Sequence, residues 1–361
     1  MKRVCIVIPS MGVGGAQKLV LQLARYLDRE RFDLQILCLS GRTGGPFEEA
    51  LDQTGIPAAY LGKRPGPDVR LLLSLCGMLK SMKPDVLHTH LHAVPYLLPA
   101  VLAARPKLRL HTVHSMAQKE AAGPLRLIMH MAYRLFGFRP VAVGRDVSES
   151  IGRLYRLPPK DVVCIPNGVE INALHRVERE TDKRSSPVRL VTVGALYGPK
   201  NHLMLLDAFE LACARRCDLT LTILGEGVLR PNLEARIQSG GLASKVFLPS
   251  IVRDVGAALT RSDLFVLSSN YEGMPFCVLE AMACGLPVVS TDVGGVSQLV
   301  QEGKNGRLVP VGDAKALADA ILSLDCRTRR RMGKASRSIV SGYDIRKTVR
   351  AYEKLYEEGT A

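Results

Sequence analysis

Two glutamates, Glu272 and Glu280, stand eight residues apart in the segment SSNYEGMPFCVLEAMACGLPVVS, residues 268–290. The pattern predicts a strand, a Gly273-Met274-Pro275 loop, a short helix, and a second strand after Gly285-Leu286-Pro287. Glu272 falls in the loop. Glu280 falls near the end of the helix's second turn, so the carboxylates project from two levels of one loop–helix unit. Between them, the N–H groups of Met274, Phe276 and their successors form a helix N-terminus, where the first donors lack helical partners and the dipole is positive. An acid on each side of an anion site suits a ligand with phosphate in the middle and hydroxyls at both ends, as in a nucleotide sugar. A surface helix carrying two solvated glutamates is the competing reading. It leaves the flanking strands and the Gly-Pro loop unexplained.

Other residues fit a phosphate-bearing ligand. Gly12, Gly14 and Gly15 follow the first predicted strand and precede a helix, which lets backbone amides approach a phosphate or sugar closely. Gln17 replaces the third glycine of a dinucleotide fingerprint, and no acidic residue closes the second strand at Leu39-Ser40, which argues against NAD. Lys200, one loop beyond Val193-Gly194, stands where an ammonium neutralises a diphosphate leaving group. His114 ends the fourth predicted strand. His88, His90 and His92 alternate and would share one strand face, but no carboxylate or cysteine accompanies them as a further metal ligand.

These residues need two sheets to hold them. Continuous apolar runs, the pattern of parallel strands covered on both faces, occur at 4–9, 33–39, 85–90, 109–114 and 140–144, with helices at 16–28, 69–82, 125–136 and 146–156. The scheme repeats at 189–194, 219–224, 245–248, 264–268, 287–290 and 307–310. This predicts an α/β protein of two Rossmann-like, doubly wound parallel-sheet domains, 1–165 and 166–343, with a final helix in 344–361. The polar run 176–187 is the expected linker. Each motif sits at the carboxyl end of a strand, where open α/β sheets bind ligands, and two facing sheets would make a cleft.

Bulk properties narrow the function. The chain has 361 residues, 47% hydrophobic and 23% charged. No run reaches the ~18 apolar residues a membrane span needs, and the N-terminus enters a strand directly, so no signal peptide is expected. Nine scattered cysteines suit reduced thiols in the cytoplasm. Cys213 and Cys217 share a helical face without completing a zinc set. Net charge is +15, and residues 1–165 carry 23 Lys+Arg against 12 Asp+Glu. That half calls for an acidic partner. With 5% aromatics and no Trp, an anionic membrane surface or a phosphate-bearing acceptor fits better than nucleic acid. The segment 124–139 places Leu125, Ile128, Met129, Ala132 and Phe136 on one helical face and Arg126, His130 and Arg134 on another, as either a core helix with a basic outer face or a membrane-facing helix.

The motifs occur in one familiar order: CIVIPSMGVGGAQKLVLQLA at the start, HTH at 88–90, TVHS at 112–115, VCIPNGVE at 163–170, LVTVGALYGPKNH at 190–202, LTILGEGVLR at 221–230, and the two-glutamate segment. Nearly the whole chain resembles the large family 4 (group 1) of retaining glycosyltransferases of GT-B fold. The resemblance implies a hexosyltransferase that needs no metal or other cofactor. Its nucleotide-sugar donor would be a UDP- or GDP-sugar, its acceptor a lipid-linked saccharide or glycolipid, and its place the cytoplasmic face of a membrane. Residue by residue, it implies His114 near the reacting carbon, Lys200 on the diphosphate, and Glu272 with Gly273, Met274, Pro275 and Phe276 on the sugar. Glu280 would take the ribose, Gly15 the donor phosphate, Gly225 and Glu226 the nucleotide turn, and Ile251 the base. Gly14, Ala16 and His90 would lie on the acceptor side. The final helix would pack back on the first domain. Absence of a D-x-D motif agrees with a metal-independent, front-side displacement, although Glu272 as a transient nucleophile stays open. Two departures stand out. Ala195 occupies the place of an arginine that usually shares the pyrophosphate with the lysine, and Pro249 replaces a common glycine near the base. Ala195 leaves a second reading, a nucleotide-sugar-binding protein with weak or no transferase activity. An epimerase of the same fold would need further carboxylates that the sequence does not offer.

Overall fold

A computed structural model describes residues 1–66, 68–174, 187–250, 252 and 254–360. The proposed linker 176–187 lies almost wholly outside the described residues, as does Ile251. The chain divides into two compact units, Met1–Asn167 with Ile345–Ala361, and Gly168–Asp344.

The first unit is built on seven parallel strands: β1 (Lys2–Ile8), β2 (Phe32–Cys38), β3 (Ala58–Tyr60), β4 (Val86–His90), β5 (Leu108–Val113), β6 (Phe138–Ala142) and β7 (Val163–Cys164). Their order is β3-β2-β1-β4-β5-β6-β7, so the order reverses at β1. The apolar runs make these strands because both faces are covered. Val4 to Ile8 are at most 1% exposed, and β1 pairs with β2 and β4 in parallel register. β3 and β7, three and two residues long, are edge strands too short to show periodicity.

The apolar stretch that follows β4 forms a helix, Val94–Ala104. Pro95 sits in its first turn, where the missing N–H costs nothing. Pro99 does remove a bond, which burial of Leu97, Ala100 and Val101 offsets. In the helix Pro124–Arg134, Met129, Ala132 and Tyr133 are buried, so the predicted apolar face turns to the core, while Arg126 and Arg134 are exposed. Leu127 (63% exposed) and Leu135 (76%) stand out beside them.

The final helix, Ile345–Glu358, belongs to this unit. Ile345, Thr348, Val349, Tyr352, Leu355 and Tyr356 recur at helical spacing and are buried. Its outer edge is fixed by Glu353 Oε1, which accepts the Asp28 N–H at 2.9 Å, and by Glu357 Oε1, which accepts from Arg31 Nε at 3.1 Å.

The second unit holds β8 (Val188–Val193), β9 (Leu219–Leu224), β10 (Val246–Phe247), β11 (Leu264–Leu267), β12 (Val288–Thr291) and β13 (Gly306–Val309). The order is β10-β9-β8-β11-β12-β13, all parallel, reversing at β8. Leu190, Leu221, Ile223, Leu264, Val266 and Val289 meet Leu205, Leu206 and Phe209 of the helix His202–Arg215 in its core. Both sheets therefore present carboxyl-end loops from strands on either side of a reversal point, the position from which α/β folds build ligand sites.

Candidate active site

In the second unit, Lys200 and Glu272 are 72 residues apart in sequence and meet because β8 and β11 are neighbours. Lys200 Nζ donates to Glu272 Oε1 at 2.6 Å, and the Ser269 hydroxyl donates to the same oxygen at 2.6 Å. The Lys200 and Glu272 side chains are 24% and 11% exposed. Burial works against the ammonium, but the Glu272 carboxylate outweighs it and holds the Lys200 pKa above the ordinary lysine value. Lys200 is therefore charged at neutral pH.

The Glu272 loop is fastened from two sides. On the β8 side, the Asn270 N–H donates to Pro199 O at 2.8 Å and the Ser268 hydroxyl to Lys200 O at 2.9 Å. On the β12 side, the Thr291 hydroxyl donates to Ser269 O at 2.7 Å and the Gly295 N–H to Gly273 O at 2.7 Å. Gly294 has φ +47, and a Cβ there would collide with the Glu272 carbonyl oxygen. The pair Gly294-Gly295 thus sets the height of the Glu272 loop. Sequence reading missed it, although a Gly-Gly after a strand was the available signal, as at Gly14-Gly15.

The helix Phe276–Ala283 starts from Pro275, which supplies no side-chain cap. All eight of its residues are buried, Glu280 among them at 8% exposure. This burial rules out the solvated surface helix. The Gly225-Glu226-Gly227 turn lies against β8's loop: Leu196 N–H donates to Glu226 O at 2.8 Å, and a Cβ on Gly225 would strike Gly194 O. Arg230 donates to Glu226 Oε2 at 2.9 Å, which holds the Glu226 carboxyl below the usual range, and to Leu248 O at 3.0 Å and Pro249 O at 3.3 Å. Arg230 therefore staples the β9 and β10 loops together beside Pro249. Ala195 is half-buried, directly after Gly194, against which the Lys200 stem lies.

In the first unit, Gly14 is extended and caps the helix Gly15–Tyr26, with Ala16 buried in its first turn. β4 ends in His90, and His114 follows directly after the last residue of β5, Val113. His90 Nδ1 and His114 Nε2 share a hydrogen bond of 2.9 Å. Glu120 accepts the backbone N–H of His114 at 2.7 Å and of Ser115 at 3.1 Å, and pairs with His111 Nε2 at 3.2 Å. Burial alone would raise the Glu120 pKa; these donors bring it below the ordinary value. Burial brings His114 down to about 4, partly opposed by Glu120, so its imidazole is neutral at pH 7. Glu120 was not anticipated from sequence, because its role depends on a turn that folds it back six residues.

His88 and His90 do share a strand face, with ring centroids 4.2 Å apart. His92 instead falls in the short 3-10 turn Leu91–Ala93. His88 bonds Tyr356 OH through Nδ1 and Thr112 Oγ1 through Nε2, both at 2.7 Å. Among the described residues, no group of three or more His, Cys, Asp or Glu is arranged to hold a metal ion. No helix among them is long and apolar enough to cross a membrane.

Residues 13–173 match the family described as Glycosyltransferase Family 4, and residues 187–325 match Glycosyl transferases group 1. A UDP-Gal:alpha-D-GlcNAc-diphosphoundecaprenol alpha-1,3-galactosyltransferase of Escherichia coli is 28% identical, over 95% of this chain and 94% of its own. A D-inositol 3-phosphate glycosyltransferase of Paenarthrobacter aurescens is 30% identical, over 70% of this chain and 67% of its own. Among solved structures, HepE of Anabaena in complex with UDP-glucose superposes with a TM-score of 0.85 at 19% identity, covering 99% of this chain and 100% of that one. Two sheets that each reverse order at their first strand, loops gathered at the reversal points, and these matches along the chain lead to one conclusion: the protein belongs to the family 4, group 1 glycosyltransferases of GT-B fold.

Proposed function

We propose that the chain is a retaining, metal-independent hexosyltransferase. It moves a hexose or N-acetylhexosamine from a UDP- or GDP-sugar to a lipid-linked saccharide or glycolipid, working at an anionic, cytoplasmic membrane face. The observation that carries this reading is the partly buried Lys200–Glu272 pair just before the Phe276–Ala283 helix.

In the free protein the two charges satisfy each other. An arriving diphosphate takes over Lys200, with the main-chain N–H groups of Gly273, Met274 and Phe276 around it, and frees Glu272 to accept hydrogen bonds from sugar hydroxyls. Charge that builds on the leaving diphosphate then meets an ammonium already fixed in place. Glu280 takes the ribose hydroxyls, and the Gly225-Glu226 turn and Ile251 hold the nucleotide. Following the family pattern, Gly15 contacts the donor phosphate, Gly14 and Ala16 flank the acceptor, and neutral His114 is a hydrogen-bond donor near the reacting carbon. The +11 balance of residues 1–165 (23 basic against 12 acidic residues) favours a phosphate-bearing acceptor and membrane. The lipid-linked substrate in the E. coli relative's name supports the same class of acceptor. Nothing in this scheme calls on a cofactor or on nucleic acid.

The test is turnover by purified protein with a panel of UDP- and GDP-sugars and polyprenyl-diphosphate saccharides, with and without chelator. Transfer with retained anomeric configuration, unchanged by chelator, is expected. No turnover with any donor and no binding of UDP or GDP would end the proposal, and loss of activity on chelation would end its metal-independent form.

A further inference from the structure

We infer that His90 is a positioning residue that fixes His114 as its Nδ1–H tautomer, so that His114 meets its ligand as a neutral hydrogen-bond donor. The inference rests on the reading of His114 as a donor-sugar contact; His90, expected on the acceptor side, is 0% exposed here and acts through His114.

The geometry is a single bond with two possible directions. His90 Nδ1 and His114 Nε2 lie 2.9 Å apart, so one nitrogen carries the proton and the other accepts it. If His114 donated, His90 would carry its own proton on Nε2. That nitrogen is buried and has no partner among the described residues. A buried N–H without an acceptor is the rarer and costlier defect; a bare ring nitrogen is the milder one. His90 therefore protonates Nδ1 and donates to His114 Nε2, which places the His114 proton on Nδ1. The groups packed around His90 keep it neutral. His88 stacks on it at 4.2 Å and His114 lies 5.2 Å away by ring centroids, with His111 as a further imidazole. The nearby carboxylate, Glu120, is engaged by His111 and by the N–H groups of His114 and Ser115. Burial and these neighbours push His90 well below the ordinary histidine pKa.

The consequence is specific. A base at His114 Nδ1 would need a bare nitrogen there. A fixed Nδ1–H cannot accept a proton, but it can stabilise a sugar hydroxyl or an oxygen gaining negative charge. His90 acts through His114, as second-layer partners of catalytic imidazoles do when they fix a tautomer.

Two-bond 1H–15N correlation spectra of the full chain, labelled with 15N-histidine and assigned with His114→Gln, read the tautomer directly. The expected spectrum shows His114 protonated at Nδ1 and bare at Nε2 from pH 6 to 8. His90→Leu removes the donor and should leave His114 with mixed tautomers and a kcat about tenfold lower, with little change in donor KM. His90→Asn sets an amide N–H where Nδ1 stood and should restore both readouts. A wild-type His114 protonated at Nε2 would overturn the inference, and so would a tautomer unmoved in His90→Leu. If His90→Leu does not fold, the wild-type spectrum decides. Wild-type protein without turnover would count against the transferase reading and leave the tautomer result standing.

Discussion

Replacing Lys200 by methionine separates what the Lys200–Glu272 pair does for folding from what it does for chemistry. The substitution strands the Glu272 carboxylate, 11% exposed, with the Ser269 hydroxyl. Removing one partner of a buried pair costs about 3–5 kcal/mol. Lys200 is 24% exposed, so solvent screening reduces this to about 2–3 kcal/mol. At ~2–4 °C per kcal/mol for a unit of this size, the melting temperature should fall by roughly 4–12 °C. Lys200→Met/Glu272→Gln removes both charges and should return to within about 1 kcal/mol of wild type. Turnover behaves differently. Both variants lack the cation on the diphosphate and should lose ~100- to 1000-fold in kcat. The pH dependence has a definite sign. The folded pKa of Lys200 lies above its ordinary value of 10.5, so the pair's contribution is complete below 10.5 and is lost only as pH rises through the folded value. The gap between wild type and Lys200→Met should stay constant from pH 7 to 9. Thermal melts and initial rates on the same preparations check all of this. A single variant as stable as wild type would refute the buried pair, and a double variant with wild-type turnover would refute the role of Lys200 in catalysis.

Gly294→Ala should lower stability by about 1–3 kcal/mol and reduce kcat, because its Cβ drives into the Glu272 carbonyl. Gly312→Ala, at φ +79 with open space around it, should cost about 1 kcal/mol and spare activity; equal rates for both variants would contradict the account. Acid should destabilise the fold before the carboxylates titrate. His114 and His202 sit at about 4 and His88 and His90 lie well below 6.5, all through burial, so the unfolded chain takes up more protons as pH drops from 6.5 toward 4. A melting temperature that is flat between pH 7 and 5 would show these imidazoles are not desolvated. Leu127→Asp/Leu135→Asp should weaken sedimentation with anionic vesicles and leave UDP binding intact; unchanged vesicle binding would move the membrane contact elsewhere. Ala195→Arg adds a cation beside the Lys200 stem and should tighten UDP binding about tenfold by calorimetry. No gain would mean that the loop directs that side chain away from the diphosphate.

The strands with continuous apolar runs were legible from sequence to within a residue or two, since a chain buried on both faces must be apolar at every position. β3 and β7 were not, because two or three edge residues carry no period; β10, equally short, was located by the apolar run Val246-Phe247-Leu248. The helix Val94–Ala104 was hidden by two prolines that its burial tolerates. At the site, the residue types were legible and the pairings were not. Lys200 was read as facing a diphosphate and Glu272 a sugar, yet in the free protein each is the other's partner, because strand order, invisible in a linear text, sets β8 beside β11. Glu120, Gly294 and Arg230 escaped for a related reason. Each acts on backbone brought close by a turn or a neighbouring strand, and the sequence around them reads as ordinary loop.

The return of the last helix to the first sheet has a biosynthetic consequence. Tyr356 and Tyr352, from the final turns of the chain, supply hydroxyls to His88 and Thr112 in the middle of the first unit. A nascent polypeptide that has emerged through residue 167 still lacks those hydroxyls and must wait for the whole second unit to be translated before its own interior closes. A stop codon ahead of Ile345 would thus injure the half of the enzyme made first, and a fragment ending at residue 167 should need the helix Ile345–Glu358, supplied as a separate peptide, to reach its native state.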